Sequence, residues 1–320
     1  MNLKSVTGKS WKLNNVDNNK ILKLTEEFSL SEILCRLLAI RNIFGKDVKE
    51  FLKPDLKKQI PNPYIFKDMK VSVEHIYGLI KERSIIGIFG DYDVDGASST
   101  AMLIKFFTKI NQPYNFFIPD RQKDGYGPSV ATFDKFIKKK IKTIITVDCG
   151  TLSNEVVDYA NTKNVSTIIL DHHQADINLP KALGIINPNR IDDRSKLKYL
   201  CATSIVFFFL LALNKKLKDT NWYQENNIKK PELLEYIDLI ALATICDVVP
   251  LVGLNRSFVK HGLKVIHKRK NLGIKMLSDI SNISSSPSIY DLGYVFGPKI
   301  NAGGRLGYSN YGAKLLSTND

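Results

Sequence analysis

Acidic side chains stand directly after two short apolar runs of this sequence. The run IIGIF (85–89) leads into GDYDVDG, which contains Asp91, Asp93 and Asp95. The run TIITV leads into Asp148, which is followed by a cysteine and a glycine. A single aspartate in such a position is most often a turn former or a helix N-cap. Each of these residues could therefore be structural if it stood alone.

Two further segments end in the same types of residue. The run TIIL (167–170) leads into Asp171, His172 and His173. Asp247 follows an apolar, helix-like run in ICDVVPL. A His-His pair is by itself more often a surface feature or part of a satisfied core than a pair of ligands. Because acidic or imidazole groups end four separate segments of one region, the sequence predicts a metal site.

Carboxylates gathered in one cleft repel each other, and their pKa values rise unless cations neutralise them. Oxygen ligands with one or two imidazoles suit Mn²⁺ or Mg²⁺, whereas zinc would favour more histidine or cysteine. If GDYDVDG stays extended, Asp91, Asp93 and Asp95 share one side of it and can surround two adjacent ions. Two such cations, roughly 3.5–4 Å apart, can activate a water and stabilise an in-line phosphoryl displacement.

The elements that must position these groups alternate from residue 85 onward. Apolar runs alternate with helix-like stretches such as SSTAMLIKFFTKI, which is typical of an α/β fold with a parallel sheet and helices on both faces. Ligands of such sheets bind beyond the carboxyl ends of the strands, so the polar tips should converge. Residues 1–80 are predicted to form an N-terminal helical segment and residues 81–254 the α/β domain. The predicted strands are 85–89, 114–118, 143–147, 167–170 and 184–186.

The composition favours a polyanionic partner and gives no sign of a membrane protein. The net charge is +14 over 320 residues, which most simply indicates nucleic acid, although a lysine-rich composition could also reflect genome bias. The four cysteines form no Cys-x-x-Cys pair, which argues against a zinc site or a disulfide framework. The N-terminus has no apolar core like that of a signal peptide, and the longest apolar run (204–213) reads as a buried helix. We expect a cytoplasmic protein.

The motifs GDYDVDG, TVDCG, LDHHQ and CDVVPL resemble the four successive motifs of the DHH phosphoesterases. GPKINAGGRLG (297–307) is similar to a further motif of the RecJ exonuclease family, and IPDRQKDGYG to a RecJ segment that lines the nucleic-acid channel. The likeness runs from about Trp11 to the last residue. It is greatest to the alphaproteobacterial form, which shares the phrases NAGGRLG and GAKLLSTND.

The resemblance implies a role for each matching residue. Asp148 would bridge two ions, sharing one with Asp91 and Asp93. The implied metal ligands are Asp91, Asp93, Asp95, Asp148, His172 and Asp247. His173 would face the scissile phosphate as an electrostatic or acid partner.

Three residues would contact the nucleic acid, and one would act indirectly. By the same resemblance, Asn301 and Arg305 would contact phosphate groups, with Arg305 also neutralising charge in the reaction, and Arg121 would guide the strand. Asp171 would orient the DHH motif through hydrogen bonds rather than bind metal.

The function implied is 5′-to-3′ hydrolysis of single-stranded DNA with two Mn²⁺ or Mg²⁺ ions, in DNA repair and recombination. Single-stranded DNA would be the substrate, with a repair helicase and a single-strand-binding protein as further partners. RecJ-like proteins continue with DHHA1 and OB domains, which we expect to be absent here, so that 255–320 would be a RecJ-motif region leading towards a missing DHHA1 domain. Two alternatives stay open: a hydrolase of short oligonucleotides or small phosphoesters, including pyrophosphate, and a non-catalytic DNA-binding scaffold.

Overall fold

The computed structural model describes residues 3–12 and 14–319, and the chain divides into two compact units after Gln59. The sequence placed the end of the N-terminal segment near residue 80. The segment 60–80 belongs instead to the second unit, because its helix contacts the last strand of the sheet and the Ile185 amide donates to Asp68 Oδ2 at 3.2 Å. The outer limits of the predicted segments, Met1 and Asp320, lie outside the described residues.

The first unit contains short helices around a small apolar cluster, as well as a two-stranded antiparallel ribbon that the sequence did not predict. Asp17 begins the first helix by accepting a hydrogen bond from the Asn19 amide at 2.9 Å. The elements are β1 (Leu3–Lys4), β2 (Ser10–Trp11), α1 (Asn18–Phe28), α2 (Glu32–Ile40), α3 (Lys46–Leu52) and α4 (Leu56–Gln59). The buried side chains of the cluster are Ile21, Leu24, Cys35, Leu38, Ala39 and Val48.

The second unit is built on a parallel sheet, and the predicted α/β fold is confirmed. Within the described residues the sheet has five strands in the order β4-β3-β5-β6-β7. The strands are β3 (Ile86–Gly90), β4 (Tyr114–Phe117), β5 (Thr143–Val147), β6 (Ser166–Leu170) and β7 (Gly184–Ile186). All pairs are parallel, and each predicted strand is found within about one residue of its expected position.

The rest of the second unit is mainly helical. The longer helices are α5 (Met69–Lys81), α6 (Val94–Lys109), α7 (Val130–Ile137), α8 (Asn154–Thr162), α9 (Ala202–Asp219), α11 (Ile237–Cys246), α12 (Gly253–His267), α13 (Leu272–Ile280) and α14 (Gly297–Arg305). Shorter ones are α10 (Trp222–Glu225), α15 (Tyr311–Ser317), 3-10 turns at Pro63–Ile65 and Leu233–Tyr236, and a π-helix at Asp291–Phe296. Phe89 packs with the α7 residues Phe133 and Phe136 on one face, while α6 and α9 contact each other and the strands.

The predicted buried helix in 204–213 is confirmed as part of α9, whose apolar residues lie between α5, α6 and α11. Among the residues that the structure describes, no helix combines the length and apolar character needed to cross a bilayer.

The crossing of α11 and α12 supplies a test of the packing. Gly262 lies where an added Cβ would be 2.3 Å from Ala241 Cβ and 2.6 Å from Ile237 O, so Gly262→Ala should destabilise the protein by about 1–3 kcal/mol. Gly78 in α5 has open space around it, and Gly78→Ala should stabilise by about 0.5–1 kcal/mol. Urea unfolding followed by circular dichroism measures both. Equal effects of the two changes would contradict the close approach.

Candidate metal centre

The strand register brings four polar side chains together at the carboxyl edge of the sheet. Gly90 pairs with Val147, Val147 with Leu170, and Leu170 with Ile186. The residue that follows each of these paired positions is polar. The four are Asp91, Asp148, Asp171 and Asn187. Because β3 leads to β4 on one side and β5 to β6 on the other, Asp91 and Asp148 stand where the strand order reverses, which is where open α/β sheets bind ligands.

The segment after β3 does not stay extended, so the expectation that its three aspartates share one side is wrong. Asp93 caps helix α6 by accepting a hydrogen bond from the Gly96 amide at 2.9 Å, and the chain turns helical at Val94. Gly96 permits this turn, since a Cβ there would lie 2.5 Å from Asp91 O. Asp91 and Asp93 consequently face Asp148, while Asp95 joins a different group.

Asp95 anchors helix α9 as well as facing the cleft. Its carboxylate accepts hydrogen bonds from the amides of Ala202 (2.6 Å) and Thr203 (2.8 Å) and from the Thr203 hydroxyl (2.6 Å). Burial raises the pKa of Asp95, while His172 and the Thr203 hydrogen bonds oppose the rise. Its Oδ2 also lies 3.7 Å from His172 Nε2. The predicted ligand thus has a structural task that its position in the sequence did not reveal.

Three buried polar atoms converge without a hydrogen-bond partner among the described residues: Asp148 Oδ1, His172 Nε2 and Asp247 Oδ2. His172 Nε2 lies 3.3 Å from the Asp148 oxygen and 3.6 Å from the Asp247 oxygen. Buried polar atoms are rarely left unpaired, so these atoms need a ligand of their own. Two carboxylate oxygens and one imidazole nitrogen at this spacing fit a divalent cation such as Mn²⁺ or Mg²⁺.

The raised pKa values of the carboxyl groups also indicate that this site suits a positively charged ligand. Burial and the neighbouring Asp93 raise the pKa of Asp91 to about 7. Burial and Asp95 raise the pKa of Asp247 to about 7. The pKa of Asp148 is raised well above its usual range, by burial first and by four nearby aspartates second. A bound cation would reverse all three shifts.

Asp171 lies in none of the groups of side chains that could hold an ion, among the residues described. Its Oδ1 accepts hydrogen bonds from His173 Nδ1 at 2.7 Å and from the His172 amide at 2.8 Å, and its Oδ2 from the Thr151 amide at 3.0 Å. Although burial raises the pKa of Asp171, these bonds and the His173 charge lower it to about 2. The Asp171 hydrogen bond raises the pKa of His173 to about 9. Asp171 therefore orients the motif and keeps His173 cationic.

Two asparagines that the sequence did not single out hold the histidine loop. Asn187 Nδ2 donates to His173 O and to Thr151 Oγ1, both at 2.9 Å. Asn189 Nδ2 donates to His172 O. Both lie in NPNR, which directly follows β7 and so stands at the same edge as the carboxylates. This position directly after a predicted strand is the feature of the sequence that could have identified the two asparagines.

The remaining predicted site residues are Arg121, Asn301 and Arg305, which belong to two segments beside the metal centre, here called its rim. The Arg121 guanidinium stands 5.9 Å from the centre of the Tyr92 ring. Gln122 Nε2 donates to Arg305 O at 3.4 Å, which ties the two rim segments together. The Arg305 side chain is exposed, and Asn301 Oδ1 is a buried atom without a hydrogen-bond partner in the described part of the chain.

Two tyrosines at this rim were also missed. Tyr92 and Tyr126 contact each other edge to face, with ring centres 6.4 Å apart. Burial, and next the charges of Asp91 and Asp148, raise the pKa of Tyr126. No spacing rule would have found them, because both lie in turns, where side chains follow neither a strand repeat nor a helix repeat.

A family model supports what the geometry indicates. Residues 85–244, half of the chain, match the model described as the DHH family, N-terminal domain. The chain belongs to the DHH family. The matched range contains every residue of the carboxyl edge of the sheet but ends three residues before Asp247.

Among curated proteins, this DHH chain is similar to single-stranded-DNA-specific exonucleases named RecJ. It is 36% identical to that of Salmonella typhimurium over 290 residues, which are 90% of this chain and 50% of the relative. It is 28% identical to that of Bacillus subtilis over 311 residues, which are 97% of this chain and 38% of the relative. The chain thus spans about half or less of the length of these relatives.

Solved structures give the same picture for the DHH fold. A RecJ structure from Thermus thermophilus in complex with Mn²⁺ superposes with a TM-score of 0.76 at 25% identity, over 96% of this chain and 42% of the other. A structure of exonuclease RecJ bound to manganese gives a TM-score of 0.70 at 27% identity, over 82% of this chain and 63% of the other. Both are metal-bound members of the fold described above.

The raised carboxyl pKa values predict that metal binding depends on pH. Below pH 7, Asp91 and Asp247 are largely protonated, and an incoming cation must displace their protons. We expect Mn²⁺ to bind at least about tenfold more tightly at pH 8 than at pH 6, with proton release. Calorimetry in two buffers of different ionisation enthalpy measures both quantities. Equal affinity at the two pH values, without proton release, would contradict the raised pKa values.

Proposed function

We propose that this chain carries the catalytic part of a RecJ-like, single-stranded-DNA-specific 5′-to-3′ exonuclease that acts in DNA repair and recombination. The observation that carries the proposal is the convergence of three unpartnered metal-ligating atoms at the sheet edge, on Asp148, His172 and Asp247. The similarity to RecJ exonucleases over 90% of the chain supports the substrate. The net charge of +14 supports a polyanionic substrate in general.

Two groups of side chains would hold two divalent cations, Mn²⁺ or Mg²⁺. Asp148 belongs with Asp91 and Asp93 in one group, and it also lies 3.3 Å from His172 Nε2 in the other, so it would contact both ions. The proposed ligands are Asp91, Asp93, Asp95, Asp148, His172 and Asp247. When bound, the two cations supply water activation and charge stabilisation for an in-line displacement at phosphorus.

The residues around this centre divide the other tasks. His173 is held by Asp171 through Nδ1, so its other ring nitrogen is available to the phosphate and carries a proton at neutral pH. It can bind a phosphate oxygen or donate that proton to the leaving oxygen. Arg305, exposed on the rim, would bind phosphate oxygens with its planar guanidinium, and Asn301 would position the same phosphate. Arg121, over the Tyr92 ring, would guide the incoming strand.

The domain limits, the cellular location and the protein partners are proposed from the resemblance to RecJ. We propose that 81–254 is the DHH catalytic part and that 255–320 carries the RecJ motif. We also propose that the protein acts in the cytoplasm, beside a repair helicase and a single-strand-binding protein. Support for the motif region comes from Ser309 Oγ, which donates to Ile118 O at 3.0 Å and holds the segment against the strand that precedes Arg121.

A nuclease assay on a 5′-labelled single strand tests this function, with Asp148→Asn as the matched control. We expect mononucleotide release with Mn²⁺ at least as effective as Mg²⁺, and none in excess chelator. Asp148→Asn removes a carboxylate charge that serves both ions, so turnover should fall by about 10³-fold or more while the fold persists. Digestion that continues in chelator, or near-normal turnover of the variant at saturating Mn²⁺, would refute the two-ion site. Preferential hydrolysis of pyrophosphate or dinucleotides over longer strands would favour a small-phosphoester hydrolase.

Arg305→Lys tests the phosphate contact. A lysine keeps the charge but lacks the planar pair of donors, so kcat/KM on single-stranded DNA should fall by about tenfold or more. Lys314→Arg, on the same C-terminal segment, is the control for a generic change of basic side chain. Equal kcat/KM for wild type and Arg305→Lys would show that Arg305 is a solvated residue without a phosphate contact.

A further inference from the structure

An exposed aromatic pair stands at the connection between helices α14 and α15, with Tyr308 on the connecting loop and Tyr311 as the first residue of α15. Tyr308 and Tyr311 stack with ring centres 4.9 Å apart and planes inclined by 28°. They are 54% and 56% exposed. Stacking covers the inner face of each ring. Because both side chains remain more than half exposed, the pair keeps an outer ring face towards solvent.

The loop that carries the pair is fixed to the rim of the metal centre. Tyr308 N donates to Gly303 O at 2.9 Å, and Ser309 Oγ donates to the carbonyl of Ile118, directly after β4. The neighbouring Gly304 lies against Tyr92, whose ring carbon is 2.9 Å from the position a Cβ would take. Gly304 and Tyr92 thus connect this loop to the turn that begins at Asp91.

The charged residues nearest to the pair along the chain are basic: Arg305 stands three residues before Tyr308, and Lys314 stands three residues after Tyr311. Aromatic faces beside cations are the recurring means by which proteins hold single-stranded nucleic acid without regard to sequence, since every base has a face to stack. Protein–protein interfaces are also enriched in tyrosine and arginine but depleted in lysine, so Lys314, three residues after Tyr311, favours a nucleic acid.

We propose that Tyr308 and Tyr311 form a stacking platform for a nucleobase of the single strand, a subsite outside the metal centre. The proposal rests on the single-strand exonuclease function put forward above and adds a binding position to it. The outer face of the pair receives one base, while Arg305, at the end of α14, binds a phosphate of that strand. A platform of this kind acts on the affinity for strands long enough to reach it and leaves the chemistry at phosphorus unchanged.

The chain contains a matched control. Tyr290 and Tyr294, before and within the π-helix, stack with the same centre distance of 4.9 Å and an inclination of 27°, and they are exposed to a similar degree. Between them stands Asp291, an acidic group that would repel a phosphate chain. The two pairs therefore share their aromatic geometry and differ in the sign of the charged residues nearest to them along the chain.

The first test measures binding without catalysis. Anisotropy of a labelled 20-mer of thymidylate is followed in chelator for wild type, Tyr308→Ala/Tyr311→Ala, Tyr308→Phe/Tyr311→Phe and Tyr290→Ala/Tyr294→Ala. Loss of one stacked base weakens binding by roughly fivefold or more, so the alanine pair at 308 and 311 should show that loss. The phenylalanine pair and the control pair should stay within about twofold of wild type. Unchanged affinity of the first alanine pair, or an equal loss in the control pair, overturns the platform.

The second test locates the base. A 2-aminopurine placed at successive positions of the strand should be quenched by the wild-type protein at one position and released from quenching in Tyr308→Ala/Tyr311→Ala. With Mn²⁺, that variant should raise KM for the 20-mer while leaving kcat/KM for a 5′-phosphorylated dinucleotide unchanged. If neither wild type nor the variants hydrolyse DNA, but the alanine pair at 308 and 311 still binds the 20-mer more weakly than wild type, the proposed catalytic function fails and the platform stands. If hydrolysis is normal and neither binding nor quenching responds to the alanines, the pair belongs to a protein contact and the platform is overturned.

Discussion

The burial of like charges at one edge of a sheet is the constraint on which the rest of this molecule depends. Asp91, Asp148 and Asp171 are each at most 3% exposed and follow adjacent strands in register. Such groups repel one another, and an unpaired buried charge costs several kcal/mol, so the protein must neutralise each of them. The surrounding contacts are best understood as the means by which it does so. The strand register brings the like charges together. Helix termini and the histidine loop neutralise some of them, and bound cations would neutralise the others.

The neutralisation is divided between the chain and a ligand. Asp171 is satisfied internally, by His173 and by backbone amides, and its pKa falls to about 2. Asp95 is held by amide and hydroxyl donors of helix α9, which also locks that helix to α6. Asp148 and Asp247 are left with raised pKa values and each with one buried oxygen that has no partner in the described residues, like the ring nitrogen of His172 facing them. The same cluster therefore contains carboxylates whose oxygens the fold already pairs and carboxylates with a buried, unpaired oxygen that a cation could bind.

The sequence predicted the strands, the parallel sheet and the meeting of the polar tips, because each depends on local apolar runs and on the rule that parallel strands share a carboxyl edge. It did not predict features that depend on long-range contacts. Asp93 as a helix cap changed the direction of Asp95, and the anchoring of Asp95 required Thr203, which lies 108 residues away. In the sequence, Asn187 could be recognised only as part of the polar segment that follows a predicted strand. The division of the chain after Gln59 rather than near residue 80 depends on contacts of α5 with β7, which no local pattern encodes.

Backbone strain joins charge repulsion at the same place. Asp148 has φ of 60° and Val248, directly after Asp247, has φ of 56°. Aspartate tolerates the left-handed region, but a β-branched residue there costs about 1–2 kcal/mol and is unusual. Val248 is also 85% exposed, so neither packing nor burial of its side chain compensates for this conformation. Strained residues persist where the surroundings determine them, and here they flank two of the proposed ligands. A cation that binds Asp148 and Asp247 would relieve repulsion and hold both turns at once, so ion binding and local order at this edge should be coupled.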